Sequence, residues 1–153
     1  MTTTRAKDQD ARQGLDVIER FCALFNRMTV ESLDQLGDVY ATDINFTDPF
    51  VSIHGLPALT EYFQGAYANV IECRFEFADT IHSGQDVCIP WVMKLRHKRI
   101  RGGELISVDG ISRLRLKGDH VVVHRDYFDA GQLLYENLPV LGSAVRWIRK
   151  HAA

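Results

Sequence analysis

Apolar side chains recur every three or four positions in the first part of the chain, which is the spacing of amphipathic helices. One helix is predicted after residue 13. A second begins behind Thr29, whose side chain can accept a free amide of the first turn, and continues to about Ala41. A third begins near Pro57 and ends near Asn69. The sequence therefore predicts three helices before any long strand.

Alternation of apolar and polar side chains predicts strands in the rest of the chain. A short strand at residues 44–48, ended by a proline, places Ile44, Phe46 and Asp48 on one face. Longer strands are predicted at residues 73–77, 87–96, 105–117 and 121–128. Pro90 cannot donate to a neighbouring strand, so its strand is expected to be bulged or at an edge there. Helices followed by antiparallel strands predict an α+β fold, with helices packed on one face of a curved sheet.

The last predicted strand carries an unusual mixture of side chains. Alternation places Val122, His124, Asp126 and Phe128 on one face. A core strand would hide only apolar groups, and a surface strand would not combine valine and phenylalanine with polar residues. The mixture is typical of the wall of a mostly apolar pocket that holds a few polar groups.

Composition and charge narrow the function further. With 153 residues, 46% of them hydrophobic and 25% charged, the sequence fits one globular domain. A net charge of −2 gives no general attraction to phosphate, so nucleic acid is not expected as a partner. No apolar run resembles a signal segment or a membrane span, and the three cysteines lack metal-ligand spacing. We expect a soluble, cytoplasmic protein.

The chain is expected to have three parts. Residues 1–13 are polar and are predicted to form a disordered tail, residues 14–138 form the domain, and residues 139–153 form a short basic amphipathic helix. The apolar stripe of this last helix is expected to dock on the same chain or on a second subunit. A lid over the pocket is an alternative, whereas contact with a membrane is not favoured because the tail is too short to anchor a protein by itself.

Asp126, His124 and Asp48 are the candidate catalytic residues. A carboxylate among apolar side chains loses hydration, which moves its pKa toward the range where it can give or take a proton at neutral pH. His124 can hold Asp126 in its charged form or transfer the proton itself. Such groups around an apolar cavity suffice for enolisation, double-bond migration, ring closure or dehydration without a cofactor.

Each candidate also has a purely structural interpretation. Asp48 can cap the turn that follows it, and His124 with Asp126 can form a satisfied buried pair without turnover. The same two residues have the spacing of a metal-binding pair, but the other histidines are scattered near predicted turns and offer no third ligand. We expect no metal and no cofactor.

The order of these elements resembles the nuclear transport factor 2-like superfamily, which includes SnoaL-like polyketide cyclases, ketosteroid isomerase, scytalone dehydratase and limonene epoxide hydrolase. The likeness covers residues 14–138 and is carried by two motifs, Thr47-Asp48-Pro49-Phe50 and Arg125-Asp126-Tyr127-Phe128-Asp129. It implies a cone: a strongly bent mixed sheet wrapped by three helices, with a deep apolar pocket at one end. Members are often dimers.

The resemblance to ketosteroid isomerase is incomplete. Asp48 matches the proton-shuttling aspartate of that enzyme, just before a proline. Phe21 and Phe63, however, stand where it has two tyrosines, and Ser112 stands where it has a protonated aspartic acid. The resemblance therefore does not imply steroid isomerisation by that mechanism.

Of the three enzymes compared, the SnoaL-like cyclases match the candidate residues of this sequence best. Asp126 matches one catalytic aspartate of limonene epoxide hydrolase, but Met93 and Leu95 stand in place of its arginine and second aspartate. In SnoaL-like cyclases a carboxylate near the position of Asp126 acts as acid and base. This match implies an acid/base role for Asp126.

We therefore expect a cofactor-free acid/base enzyme of isomerase, cyclase, dehydratase or hydrolase type that acts on a small apolar organic molecule. The alternative is a non-catalytic ligand-binding or dimeric interaction module of the same fold. A second copy is expected to pair with the outer face of the sheet, which gives a homodimer. The predicted pocket lining is Phe21, Tyr40, Phe46, Phe63, Trp91, Met93, Ser112, Leu114 and Phe128.

Overall fold

The computed structural model describes the backbone of residues 2–152, and the side chains of Gln9 and of residues 14–152. Its elements follow the predicted order of helices and strands. They are α1 (Thr2–Arg27), a 3₁₀ helix (Val30–Asp38), β1 (Tyr40–Thr47), β2 (Ser52–His54), α2 (Leu56–Tyr67), β3 (Val70–Phe77), β4 (Ile81–Ser83), β5 (Asp86–His97), a 3₁₀ turn (Arg101–Gly103), β6 (Ile106–Lys117), β7 (His120–Phe128), α3 (Ala130–Leu133), a second 3₁₀ turn (Tyr135–Asn137) and α4 (Pro139–His151).

All seven strands belong to one mixed sheet. Its order is β2-β1-β7-β6-β5-β3, and β4 pairs with β5 beside β3. β1 runs parallel to β7, whereas the other pairs are antiparallel. The sheet is curved and does not close on itself, and three helices from the first half of the chain cover it. The predicted α+β fold with a curved mixed sheet is therefore confirmed.

A bulge on β7 corrects one detail of the predicted strand. The register with β6 shifts so that Arg115 pairs with Val123 and Leu116 pairs with Val121. Val121 is therefore the fully buried valine, and Val122, which alternation placed on the inner face, is the extra residue of the bulge. Beyond the bulge the alternation from His124 to Phe128 is unbroken.

The helix α1 begins earlier than predicted. Its backbone is helical from Thr2, within the segment that the sequence predicted as a disordered tail. Alanine, arginine, lysine and glutamine favour helices, and no glycine or proline interrupts the segment before Gly14. Of residues 1–13 only Gln9 has a described side chain, so the domain boundary at residue 14 stays a prediction.

The second predicted helix is a 3₁₀ helix and ends at Asp38, not at Ala41. Tyr40 and Ala41 belong to β1 instead. The amide of Val121 donates to the carbonyl of Val39 at 2.8 Å, so sheet pairing with β7 replaces the next helical turn. Tyr40 is nevertheless buried, as predicted, because its side chain still points into the core.

Pro90 lies in a central strand, at the point where the neighbour of β5 changes. β3 pairs with the part of β5 that begins at Trp91, and β4 pairs with the preceding part, residues 86–88. The Pro90 carbonyl accepts the amide of Ala78 at 2.9 Å. In an antiparallel strand the N–H and C=O of one residue point to the same side, so the missing donor faces the connection between β3 and β4. The predicted local edge is confirmed.

The side chain of Asn26 fastens α1 to the free edge of the sheet. Its amide oxygen accepts the Phe75 amide at 2.8 Å, and its amide nitrogen donates to the Phe75 carbonyl at 3.1 Å. Among the described strands, none pairs with the other side of β3. The side chain thus satisfies backbone groups that an edge strand leaves open, and it fixes α1 over the inner face of the sheet.

The helix α4 turns its apolar side chains toward solvent. Trp147 is 63% exposed and Ile148 is 55% exposed. On its other side, Arg146 donates to the Glu136 carbonyl at 2.7 Å, and Arg149 forms an ion pair with the Glu136 carboxylate. The described contacts do not dock this stripe on its own domain, because polar contacts to the preceding turn hold the helix, and docking on a second subunit stays a prediction. Among the helices described, none combines the length and apolar character of a membrane span.

Replacing Trp147 and Ile148 together by serine should leave the free energy of unfolding almost unchanged. Exposed positions away from caps and networks change stability by no more than about 0.5 kcal/mol. Leu59→Ala is the buried comparison, since its side chain is fully enclosed and its truncation should cost about 2–5 kcal/mol. Urea denaturation measures both. A loss for the double variant as large as that of Leu59→Ala would show that the α4 stripe is packed within the monomer.

Candidate functional site

The concave face of the sheet and the helices α1 and α2 enclose a cavity of about 290 Å³. This volume is at the small end of the range of ligand pockets, about 300–1,000 Å³. Seven of the nine predicted lining residues are in its wall: Phe21, Phe46, Phe63, Trp91, Met93, Ser112 and Phe128. The three candidate catalytic residues Asp48, His124 and Asp126 also line it. The structure therefore brings both candidate carboxylates and the histidine to one space.

Tyr40 and Leu114 do not line the cavity. Both are completely enclosed in the core behind it. Leu114 pairs with His124 across β6 and β7, so the two side chains are neighbours on the inner face of the sheet. Tyr40 belongs to β1 and reaches the far side of the same imidazole. The prediction that they line the cavity is therefore wrong, although both are buried.

Asp126 receives hydrogen bonds from two directions on one oxygen. Ser112 Oγ donates to Asp126 Oδ1 at 2.5 Å, and His124 Nε2 lies 2.7 Å from the same atom. Trp91 Nε1 donates to Ser112 Oγ at 2.9 Å. Ser112 pairs with Asp126 across β6 and β7, which places the hydroxyl directly opposite the carboxylate. Side chains from two adjacent strands, β6 and β7, thus hold one carboxylate oxygen, and Trp91 of β5 holds the serine hydroxyl.

A neutral imidazole at His124 satisfies the hydrogen-bond pattern around it. Its ring is enclosed, with the Tyr40 hydroxyl 2.7 Å from Nδ1 and Asp126 Oδ1 2.7 Å from Nε2. A neutral ring accepts the Tyr40 proton at Nδ1 and donates from Nε2, so every group is satisfied. An imidazolium would have to donate to Tyr40 and leave its proton without an acceptor among the described groups. Burial and the charge of Asp126 raise the pKa of Tyr40 well above its ordinary value, which keeps the hydroxyl protonated as this pattern requires.

Aromatic rings surround this imidazole on its remaining sides. The ring centroids of Phe46 and Phe21 are 5.0 and 5.3 Å from it, in edge-to-face arrangements. Phe46 pairs with His124 in the parallel register of β1 and β7, and Phe21 comes from α1. The packing leaves the imidazole no freedom to rotate, so the orientation of Nε2 toward Asp126 is set by the core.

The free oxygen of Asp126 distinguishes it from the other carboxylate. Within the part of the chain that the structure describes, no group donates to Oδ2, and the side chain is 17% exposed at the cavity wall. A molecule in the cavity can therefore reach this oxygen directly. A carboxylate with one oxygen held and one free can accept a proton from, or return it to, a bound molecule.

The carboxylate of Asp48 is engaged at both oxygens. Oδ1 accepts the amides of Phe50 and Val51 at 2.7 and 2.9 Å, and Oδ2 accepts the Tyr62 hydroxyl at 2.5 Å. The turn-capping interpretation of Asp48 therefore describes its contacts. Burial, followed by the hydrogen bond to Asp48, raises the pKa of Tyr62 well above its ordinary value, so this hydroxyl remains a proton donor.

Sequence reasoning missed two parts of the site. Tyr62 was not among the predicted site residues, although the hydroxyl of a tyrosine at an apolar wall normally requires a partner and Asp48 was available. Leu133 and Leu134 also line the cavity, and they follow β7 in and behind the short helix α3. Among the described side chains, no three of His, Cys, Asp or Glu are placed to share a metal ion.

Gly110 fixes the position of Trp91. The two residues pair across β5 and β6, and a Cβ atom on Gly110 would overlap the indole ring. The indole therefore lies flat over the glycine, from where Nε1 reaches Ser112. The glycine gives no sequence signal, because alternation alone places it on an ordinary strand position.

A curved mixed sheet and helices around an aromatic cavity, with a histidine and an aspartate hydrogen-bonded in its wall, define an α+β domain with a largely apolar pocket. The profile of the SnoaL-like domain matches residues 18–124, and the chain belongs to this family. Its members share the fold that the resemblance implied. Among curated proteins no sequence matches the chain.

Solved structures with this fold come from several bacteria. A nuclear transport factor 2-like protein of unknown function from Burkholderia pseudomallei superposes with a TM-score of 0.70 at 15% identity, over 80% of this chain and 95% of the other. A ketosteroid isomerase-like protein from Catenulispora acidiphila, in complex with trimethylamine, gives 0.67 at 16%, over 79% and 91%. A candidate polyketide cyclase from Acidithiobacillus ferrooxidans gives 0.67 at 16%, over 82% and 96%. At these identities the likeness establishes the fold alone.

Gly110→Ala should destabilise the protein by about 1–3 kcal/mol, the usual cost of forcing extra atoms into a packed site. The methyl group must displace the Trp91 indole and break its bond to Ser112, so the emission of Trp91 should shift in a Trp147→Phe background. Gly65→Ala is the matched control, since that glycine in α2 has open space around it and the change should stabilise the helix by about 0.5–1 kcal/mol. Equal effects of the two substitutions would contradict the described packing of Trp91.

Proposed function

We propose that this protein is a cofactor-free acid/base enzyme that acts on a small, largely apolar organic molecule, with Asp126 as the group that takes and returns the proton. The observation that carries the proposal is the asymmetry of this carboxylate: Oδ1 is held by Ser112 and His124, and Oδ2 is free at the wall of an apolar cavity. Such an arrangement supports enolisation and the isomerisation, cyclisation or dehydration steps that begin with it.

The neighbours of Asp126 give its carboxylate a fixed position. Ser112 and His124 both donate to Oδ1. Tyr40 completes the chain by holding the far nitrogen of the imidazole. We therefore assign His124, Ser112 and Tyr40 as positioning residues. They orient the free oxygen toward the cavity before a substrate arrives.

Asp48 acts as a positioning residue in this proposal, although the sequence suggested a catalytic role. Its three donors leave no lone oxygen for a substrate proton. It fixes the turn at Phe50 and directs the Tyr62 hydroxyl along the cavity wall. The proton transfer is therefore carried by one carboxylate, and the second shapes the space.

A non-catalytic ligand-binding module of the same fold is the second candidate. The chain of hydrogen bonds from Trp91 through Ser112 and Asp126 to His124 and Tyr40 is complete without a substrate, as in a purely structural network. Such a module would use the same cavity and the same free oxygen for recognition. Proton transfer to a bound molecule is the property that separates the two candidates.

Asp126→Asn should abolish proton transfer and leave the fold intact, because the amide keeps the size of the side chain and loses the basic oxygen. An assay that does not require the natural substrate uses small ketones in D₂O. Nuclear magnetic resonance measures the rate at which deuterium exchanges into their acidic C–H positions. We expect the exchange rate to fall by about a hundred- to ten-thousand-fold. His124→Gln should lower the rate less, and Asp48→Asn should lower thermal stability more than rate.

Asp43→Asn is the matched control, since it removes the same charge from an exposed position of β1. It should exchange deuterium at the parent rate. If Asp126→Asn also exchanged at the parent rate while the parent was active, Asp126 would not be the proton-transfer group. If the parent caused no exchange in any ketone that binds, the binding module would replace the enzyme.

We also propose that two copies pair through the outer face of the sheet. Val92 and Val123 lie on that face, and Tyr127 is 47% exposed beside Arg125, whose guanidinium is 4.9 Å from the ring centre. In a two-fold dimer the same residues meet their own copies. Tyr127→Glu should therefore place like charges at the interface and convert a dimer into a monomer in sedimentation at micromolar concentration. A parent protein that is monomeric at that concentration would contradict the pairing.

A further inference from the structure

The cavity wall contains negative charge without a basic partner. Asp48 and Asp126 both line it, and no lysine or arginine is among its described lining residues. Neither carboxylate has a lysine or arginine nitrogen within 4.0 Å in the described part of the chain. Their hydrogen-bond donors are neutral: backbone amides, two hydroxyl groups and the imidazole of His124.

The two histidines of the cavity do not compensate this charge. A neutral ring at His124 satisfies both of its hydrogen bonds. Burial and the nearby Arg99 lower the pKa of His97, so at neutral pH its imidazole is uncharged as well. A bound molecule therefore meets an electric field that attracts positive charge and repels negative charge.

The rest of the wall is largely aromatic. Phe75, Phe77 and Trp91 lie together on β3 and β5, with the Phe75 and Trp91 ring centroids 5.3 Å apart, and Tyr67 and Phe63 face them from α2. The faces of aromatic rings attract cations within about 6 Å, and tryptophan does so most strongly. Both features of the wall, its carboxylates and its rings, favour the same kind of ligand.

We propose that the ligand of this cavity is a small hydrophobic molecule that carries a protonated or quaternary amine. The proposal rests on the proposed function, because it takes the cavity to be the ligand site. The carboxylates and rings replace part of the hydration that an alkylammonium group loses on entry. An anionic group would lose its hydration, meet two like charges and find no cationic partner, so carboxylates and phosphates should be rejected.

The test compares three probes of similar size and different charge. They are benzyltrimethylammonium, neopentylbenzene, in which carbon replaces the charged nitrogen, and the anion 3-phenylpropanoate. Nuclear magnetic resonance titration of the full chain gives the dissociation constants. We expect the cation to bind about tenfold or more tightly than its neutral isostere, which corresponds to the upper part of the range for buried cation–π contacts, and the anion to bind least.

Variants then locate the source of the preference. Asp126→Asn should reduce the ratio between the cation and the neutral isostere several-fold, because one of the two charges is removed next to the free oxygen. Asp43→Asn removes a charge outside the cavity and should leave the ratio at the parent value. The probe series on the parent protein decides the proposal even if a variant fails to fold.

The outcomes separate this inference from the proposed function. If neopentylbenzene bound as tightly as the cation, or if the anion bound best, the amine preference would be overturned while the cavity remained a ligand site. If none of the three probes bound, the cavity would not be a ligand site for molecules of this size, and both proposals would fail. A preference that persisted in Asp126→Asn at its full ratio would also overturn the inference, since the charge next to the free oxygen would then have no part in it.

Discussion

The burial of one imidazole is the constraint on which this structure depends. His124 is enclosed by aromatic rings, and a buried ring with an unsatisfied nitrogen costs about 1–3 kcal/mol for each lost partner. Both nitrogens must therefore be paired, one with the Tyr40 hydroxyl of β1 and the other with Asp126 of β7. Asp126 in turn requires a donor from β6, which is Ser112, and Ser112 is held by Trp91 of β5. One polar group in the core thus specifies side chains on four strands.

The strand register makes this network possible, and the bulge in β7 protects it. Ser112 lies opposite Asp126 and Leu114 lies opposite His124, so hydroxyl, carboxylate and imidazole come together only in this pairing. A shift by one residue would turn His124 to the outer face and leave its partners unpaired. The register change falls between Arg115 and Leu116, before these pairs begin. The irregular end of the hairpin therefore absorbs the mismatch, and the functional end stays regular.

How much the sequence predicts depends on how far apart the interacting residues are. Helical spacing and strand alternation are local signals, and they predicted the element order, the α+β fold and the common face of His124 and Asp126. The bulge at Val122 was missed because a single extra residue does not disturb the apolar character of a run of valines. The contact between Tyr40 and His124 joins residues 84 positions apart in the sequence. Local patterns therefore could not show that Tyr40 contacts the imidazole and does not line the cavity. Only the packed structure shows which side of the imidazole it occupies.

Sequence patterns also fail to predict the effect of residues that leave space in the core or that lie outside it. Gly110 has no side chain to produce a pattern, yet its empty position sets the orientation of Trp91. The apolar stripe of α4 follows the pattern of a core-facing helix, and yet Arg146 and Arg149 bind Glu136 and turn the stripe outward. Periodicity shows that a helix has an apolar face. It does not show which face the polar contacts of the neighbouring turn hold against the protein.

The two carboxylates of the cavity show how environment divides identical groups between roles. Asp48 precedes a proline in a tight turn, where the amides of Phe50 and Val51 point back at its side chain, and Tyr62 occupies the remaining oxygen. Asp126 lies within a strand, where the amides are committed to sheet pairing, so only side chains can approach it. These side chains come from one direction and leave the other oxygen open to the cavity. A carboxylate in a turn is therefore saturated by its own backbone, whereas a carboxylate on a strand stays available to a ligand. This difference in backbone setting, more than any difference in burial, leaves an oxygen of Asp126 free and both oxygens of Asp48 bound.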